Sequence, residues 1–197
     1  MCTTPIPAEL YLKVDTRIDK FLATGSCEWL DEDAADDICC AAATRLSPLP
    51  QTAVCRQLVS QMHQLPPIRR GSIIPAYNWK EDRIAMPYPR RFRTPQLYHS
   101  TLFHEAIHST GHPSRLNRFE LLNWVEREDP FYCREELIAE HGAAYLCTLA
   151  GIERETFVDS VCCIDYYLAR HRPDGADLSA LRTKAREAVT YLLSPPQ

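Results

Sequence analysis

No run of about 18 apolar residues occurs in the chain, so the sequence offers no membrane-spanning helix. Its first residues, MCTTPIPAELYLKVDTRIDK, lack the apolar core of a secretory signal. Both absences lead us to expect a cytoplasmic protein with no membrane partner. The nine cysteines include no CxxC spacing, their number is odd, and two pairs are vicinal, Cys39-Cys40 and Cys162-Cys163. A disulfide framework or a thiolate metal site needs the ligand spacing that is missing here, so reduced, mostly buried thiols are expected. Internal repeats and low-complexity tracts are also absent.

What is present is an ordinary globular composition with an uneven charge. Residues 1–68 carry a net −4, residues 69–118 a net +6 and residues 119–197 a net −6. The basic middle contains Arg69, Arg70, Arg83, Arg90, Arg91 and Arg93. Such a segment either pairs with the acidic flanks or contacts a polyanion, which makes Arg69–Arg93 a candidate nucleic-acid contact.

Residues 8 to 23 and 32 to 45 read as helices, the second with Asp31, Glu32 and Asp33 near its start, where the helix dipole favours negative charge. SPLPQ at 47 to 51 breaks the pattern, and QTAVCRQLVSQMHQL is a further helix ended by Pro66-Pro67. The first 69 residues therefore form a helical N-terminal segment, and residues 70–197 a second unit. In GSIIPAYNWKEDRIAMP two β-prone runs flank Lys80-Glu81-Asp82 and read as a hairpin. A helix then opens with Thr94 as N-cap and Pro95 in the first turn, and stops at Gly111, a residue suited to the C′ position. Helices follow at about 133–150, 156–171 and 177–193, the last two separated by Pro173-Asp174-Gly175.

Inside the capped helix lies HEAIHSTGH, residues 104 to 112. Residues i and i+4 share a helix face, so His104 and His108 can present both imidazoles to one ion, with Glu105 beside them to take a proton from a metal-bound water. A third histidine ligand in the pattern HExxHxxGxxH would require histidine at 114, where serine stands. His112 comes two residues early and follows the helix-ending glycine, which turns it off the shared face. The remaining ligand is sought in REELIAEHGAAYL, where Glu136 and Glu140 share a face and Glu135 does not. One of that pair can bind the metal while the other fixes the tautomer of a ligand histidine. Two histidines, one carboxylate and an open position describe a catalytic zinc site, one ion per chain, suited to amide hydrolysis. His112, Arg115 and Tyr145 are the candidates for oxyanion or substrate contacts.

The stretch AYNWKEDRIAMPYPRRFRTPQLYHSTLFHEAIHSTGHPSRLNR, followed by REELIAEHGAAYLCTLAGI, resembles the zincin-like metallopeptidase domain of ArdC-type antirestriction proteins. TGHPSRLNR and EELIAE are more specific marks of it than HExxH alone. The resemblance implies an α+β, gluzincin-like fold, with helices packed on a small sheet and a helical extension in front. It implies zinc held by His104, His108 and Glu136, Glu140 behind a ligand, and Glu105 as catalytic glutamate. It also implies a zinc endopeptidase acting on a protein or peptide substrate. The alternative is a catalytically silent zincin-fold module that grips DNA or a DNA-processing protein. ArdC-type proteins carry an N-terminal single-stranded-DNA-binding domain, where this chain has about 70 mostly helical, acidic residues; DNA binding is therefore not carried over with the resemblance.

Overall fold

Apolar residues recur every three or four positions in the first helix, α1 (Ala8–Thr24), and turn Leu10, Val14 and Ile18 into the interior. The structure is a computed structural model that describes residues 6–26, 51–123, 126 and 129–194. The helix expected at 32–45 and most of SPLPQ lie outside these residues. The chain continues with α2 (Gln51–Gln61), β1 (Ile68–Arg70), β2 (Ala76–Asn78), β3 (Arg83–Met86) and a 3-10 turn at Pro89–Arg91. Then come α3 (Pro95–Thr110), α4 (Phe119–Asn123), α5 (Pro130–Leu149), α6 (Glu153–His171) and α7 (Gly175–Leu193). None of these helices is long and apolar enough to cross a membrane.

The architecture is α+β. β2 and β3 form the expected antiparallel hairpin, with Tyr77 opposite Ile84. The sheet has a further strand that the sequence reading lacks: β1 runs parallel to β3, giving the order β1-β3-β2. α2 stops before Pro66-Pro67, because Gln64 takes a positive φ of 51° and the His63 N–H is captured by the Leu192 carbonyl at 2.7 Å. α5 begins earlier than expected. Asp129 accepts the Phe131 N–H at 2.7 Å and Pro130 fills the first turn, where its missing N–H costs nothing.

α5 is the central helix, packed against α3, α6 and α7, with nearly its whole circumference buried. It meets α3 at Gly142, where a Cβ would lie 2.8 Å from Ile107 Cδ1. Only a residue without a side chain lets the two helices come this near. The buried residues of α1 belong to the same core cluster as those of α3, α5 and α7. The Tyr11 ring meets Tyr145 edge-on with centroids 4.8 Å apart, and buried Asp15 accepts the Tyr145 hydroxyl at 2.7 Å. Asp15 also pairs with Arg186, and Arg182 holds Asp19 at 2.5 Å, so α7 clasps α1 through charge. Of the described cysteines, Cys55, Cys133 and Cys147 are buried and Cys162 and Cys163 exposed, all unbridged.

Two expectations follow from this packing. Gly142→Ala forces Ile107 and the α3–α5 crossing to yield, and should destabilise the protein by about 1–3 kcal/mol in urea unfolding. His141 is fully buried, donating from Nδ1 to the Leu137 carbonyl at 2.8 Å and accepting from Arg182 at Nε2, 3.3 Å away. Burial pushes its pKa down from 6.5 to about 4, opposed by the Leu137 hydrogen bond and helped by Arg182. Below about pH 6.5 the unfolded chain takes up a proton that the folded one refuses, so this contribution is lost as pH falls toward about 4. The stability gap between wild type and His141→Gln should therefore close by about 2 kcal/mol between about pH 7 and pH 5.

Candidate metal centre

α3 is fixed at its start by Thr94, whose Oγ1 accepts the Leu97 N–H at 3.2 Å. Leu102, Phe103, Ala106 and Ile107 bury one flank of the helix. That leaves His104 and His108, one turn apart, facing α5, with ring centroids 4.6 Å apart and Nε2 atoms at 2.9 Å. Across the groove Glu136 sends Oε2 to 3.3 Å from His104 Nε2 and Oε1 to 3.6 Å from His108 Nε2. Ligand atoms of His104, His108 and Glu136 all lie within 4.8 Å of one another, so these three residues can hold a divalent metal ion.

The outer nitrogens of both rings meet carboxylates. His108 Nδ1 is 3.0 Å from Glu135 Oε1, and His104 Nδ1 is 3.3 Å from Glu140 Oε1. An ionised carboxylate only accepts, so each Nδ1 carries a hydrogen, which leaves each Nε2 as the atom that would turn a lone pair to a bound ion. Glu135 is held in turn by Arg118, with Nε donating to Oε2 at 2.9 Å and Nη2 to Oε1 at 2.5 Å. Arg118 also donates to the carbonyls of Ile107 and His108, at 2.9 and 3.3 Å. It thereby ties the end of α3 to the start of α5.

Charge balance gives a second test of fit. Burial alone would pull His104 down, yet Glu140 and Glu136 hold it well above its ordinary pKa of 6.5. Burial would likewise raise Glu136, but His104, His108 and the Tyr132 hydroxyl outweigh it and bring the carboxyl to about 2. Glu135 is lowered despite its burial by Arg118 and His108. A group of three acids around two imidazoles calls for positive charge at its centre. Mixed nitrogen and oxygen donors suit zinc and related first-row ions.

Glu105 is only 5 % exposed and lies close to the Tyr77 backbone of β2. Burial raises its pKa, against the lowering effect of the two histidines. The carboxylate thus lies between the donor cluster and the sheet.

Three expectations need correction. Tyr145 is fully buried against Tyr11 and Asp15, so its hydroxyl faces the α1 contact and not the groove. Arg115 is committed to Asp82, to the Tyr77 hydroxyl at 2.9 Å and to the Ser109 carbonyl at 2.6 Å. Gly111 caps α3 with φ −75°, not the left-handed value, and what demands glycine is space: a Cβ would lie 2.9 Å from Arg118 Nη2. His112 lies beyond the helix end, with Nδ1 2.7 Å from Ser114 Oγ. The sequence reading also passed over Glu135 and Arg118. Their signal was the TGHPSRLNR segment itself, whose two arginines are both clamps.

A family model for zincin-like metallopeptidases, MPTase-PolyVal, matches residues 62–179. Among solved structures, the Mn(II)-bound antirestriction ArdC protein from the R388 plasmid is 31 % identical with a TM-score of 0.55, over 74 % of this chain and 51 % of that one. The metal-free form of that protein is 29 % identical with a TM-score of 0.51, over 74 % and 50 %. The chain therefore spans about half the length of those proteins. No curated protein matches it.

Zinc titration with a competing chelator should rank the groups. Glu136→Ala should lose the metal, Glu135→Ala should weaken binding about 10- to 100-fold, and His112→Ala should leave it unchanged. Metal loss in the His112 variant and not in the Glu136 variant would overturn the donor set.

Proposed function

This chain belongs to a family of zincin-like metallopeptidases, and from that membership we propose that it is a zinc-dependent endopeptidase that cleaves a protein target. His104, His108 and Glu136 would hold the ion, with Glu135 and Glu140 fixing the histidine tautomers. The chemistry zinc supplies when bound there is Lewis acidity, which polarises the scissile carbonyl and acidifies water. The remaining work falls to the chain. Glu105 accepts a proton from the attacking water at its carboxylate and returns it to the departing amine.

The observation that carries this reading is the placement of Glu105. A site that only stored metal or braced the fold would have no use for a buried carboxylate beside the donors. β2 packs against α3, which carries Glu105 and both histidines, and has no strand neighbour on its outer side among the described residues. An extended peptide can add to that edge, placing its backbone carbonyl near the cluster. Burial of Glu105, His108 and Glu136 excludes bulk water and strengthens each polar contact in the groove.

The zinc-loaded protein and its Glu105→Gln variant should be compared on unfolded protein substrates. We expect cleavage by the wild type, at least about a hundredfold less by the variant, and equal zinc content in both. Equal cleavage by the two would remove Glu105 from the mechanism. Zinc binding without proteolysis, together with a salt-dependent DNA affinity, would favour the silent binding module.

A further inference from the structure

The opposite edge of the sheet carries a surface that hydrolysis does not use. Arg69, Arg70, Arg90 and Arg91 are all exposed and have no acidic partner among the described residues. The other arginines of residues 69–118 are paired: Arg83 with Glu81 at 2.6 Å, Arg93 with Asp159 at 3.3 Å, Arg115 with Asp82, and Arg118 with Glu135 at 2.5 Å. Pairing thus neutralises the β2–β3 turn, while the far end of the sheet keeps its charge. Arg69 and Arg70 stand level with Ala85 and Met86, and Gly71 donates its N–H to the Met86 carbonyl at 2.8 Å.

Tyr88 lies directly over Gly71, where a Cβ would come within 3.3 Å of the ring, and the Arg90 guanidinium sits 5.1 Å from the ring centroid. β1, Gly71, Tyr88 and Arg90 therefore form one continuous surface. In the connection that leaves β1 after Gly71, Ile73 is 80 % and Ile74 60 % exposed, and Tyr88 is 46 % exposed. Adjacent isoleucines left this open are costly in water unless something covers them. β1 also lacks a strand neighbour on its outer side among the described residues.

We infer that this edge is a docking surface for an acidic, extended segment of a partner protein that also carries aliphatic side chains. Main-chain hydrogen bonds to β1 would hold the segment as an added strand. Successive side chains of that strand fall on opposite faces, so its carboxylates meet Arg69 on one face and Arg70 on the other. Its aliphatic residues cover Ile73 and Ile74. Arginine favours such a partner because its planar fork pairs bidentately with carboxylates. A nucleic acid would find one aromatic ring here and two aliphatic side chains with no face for a base to stack on. β1 and β2 are the two opposite edges of the sheet, so docking at β1 leaves the β2 edge beside Glu105 free.

The test uses the full-length, zinc-loaded Glu105→Gln protein and a fluorescein-labelled peptide of aspartate, glutamate, leucine and valine, read by anisotropy. Binding should weaken about tenfold or more in each of Arg69→Ala/Arg70→Ala, Arg90→Ala/Arg91→Ala and Ile73→Ser/Ile74→Ser, with zinc content and circular dichroism unchanged. An oligo-thymidine of equal length and charge should bind less tightly than the peptide. Unaltered peptide affinity in all three variants would overturn the proposal. So would tighter binding of the oligonucleotide that the same substitutions abolish. Because the reporter is binding by a variant lacking the catalytic glutamate, either result is independent of whether the protein is a peptidase.

Discussion

Carboxylates buried in a protein must find positive charge, and here Glu135, Glu136 and Glu140 bring three of them against two imidazoles. The approach of α3 and α5 makes this convergence unavoidable. Gly142 lets the helices close on each other, the i, i+4 spacing aims both histidines across the groove, and consecutive glutamates on α5 meet them from two sides. Arg118 balances one acid, and the histidines share the charge of the other two. A cation between the rings completes what the fold has already set up. This is the sense in which metal affinity is built into helix packing and not added to it.

The N-terminal helix belongs to the same construction. α1 contributes Leu10, Val14 and Ile18 to the core, and its Asp15 receives the hydroxyl of Tyr145 from the ligand-bearing helix. The bonds from Arg182 and Arg186 then fasten α7 over both. Acid-rich residues at the start of the chain and basic residues near its end thus compensate each other across the fold. The basic middle is compensated only in part, at the hairpin turn and through Arg93 and Arg118.

Features with local signals were legible in the sequence. Thr94-Pro95 marks the start of α3, HExxH places two imidazoles by helix periodicity alone, and the turn between two β-prone runs forecasts the hairpin. β1 gave no such signal, since three residues ending in two arginines become a strand only through parallel pairing with β3, more than a dozen residues away. Glu135 does not share a helix face with Glu140, but two packed helices expose more than one row of side chains to the groove between them. Tyr145 could have been excluded by arithmetic: nine residues from Glu136 is roughly half a turn around the helix, on its far side. Arg115 and Arg118 look alike in sequence, and only the folded loop shows that each is tied to a different element.

Gly111 belongs to this site although it has no side chain to place there. The space above its Cα is filled by the Arg118 guanidinium, which grips Glu135, which in turn orients His108. A steric requirement at one backbone position is therefore transmitted, through three side chains, to the lone pair of a donor nitrogen. Anyone transplanting the histidine helix into another scaffold would have to bring the glycine and the arginine along with it, for the grafted helix alone would leave its second imidazole free to rotate.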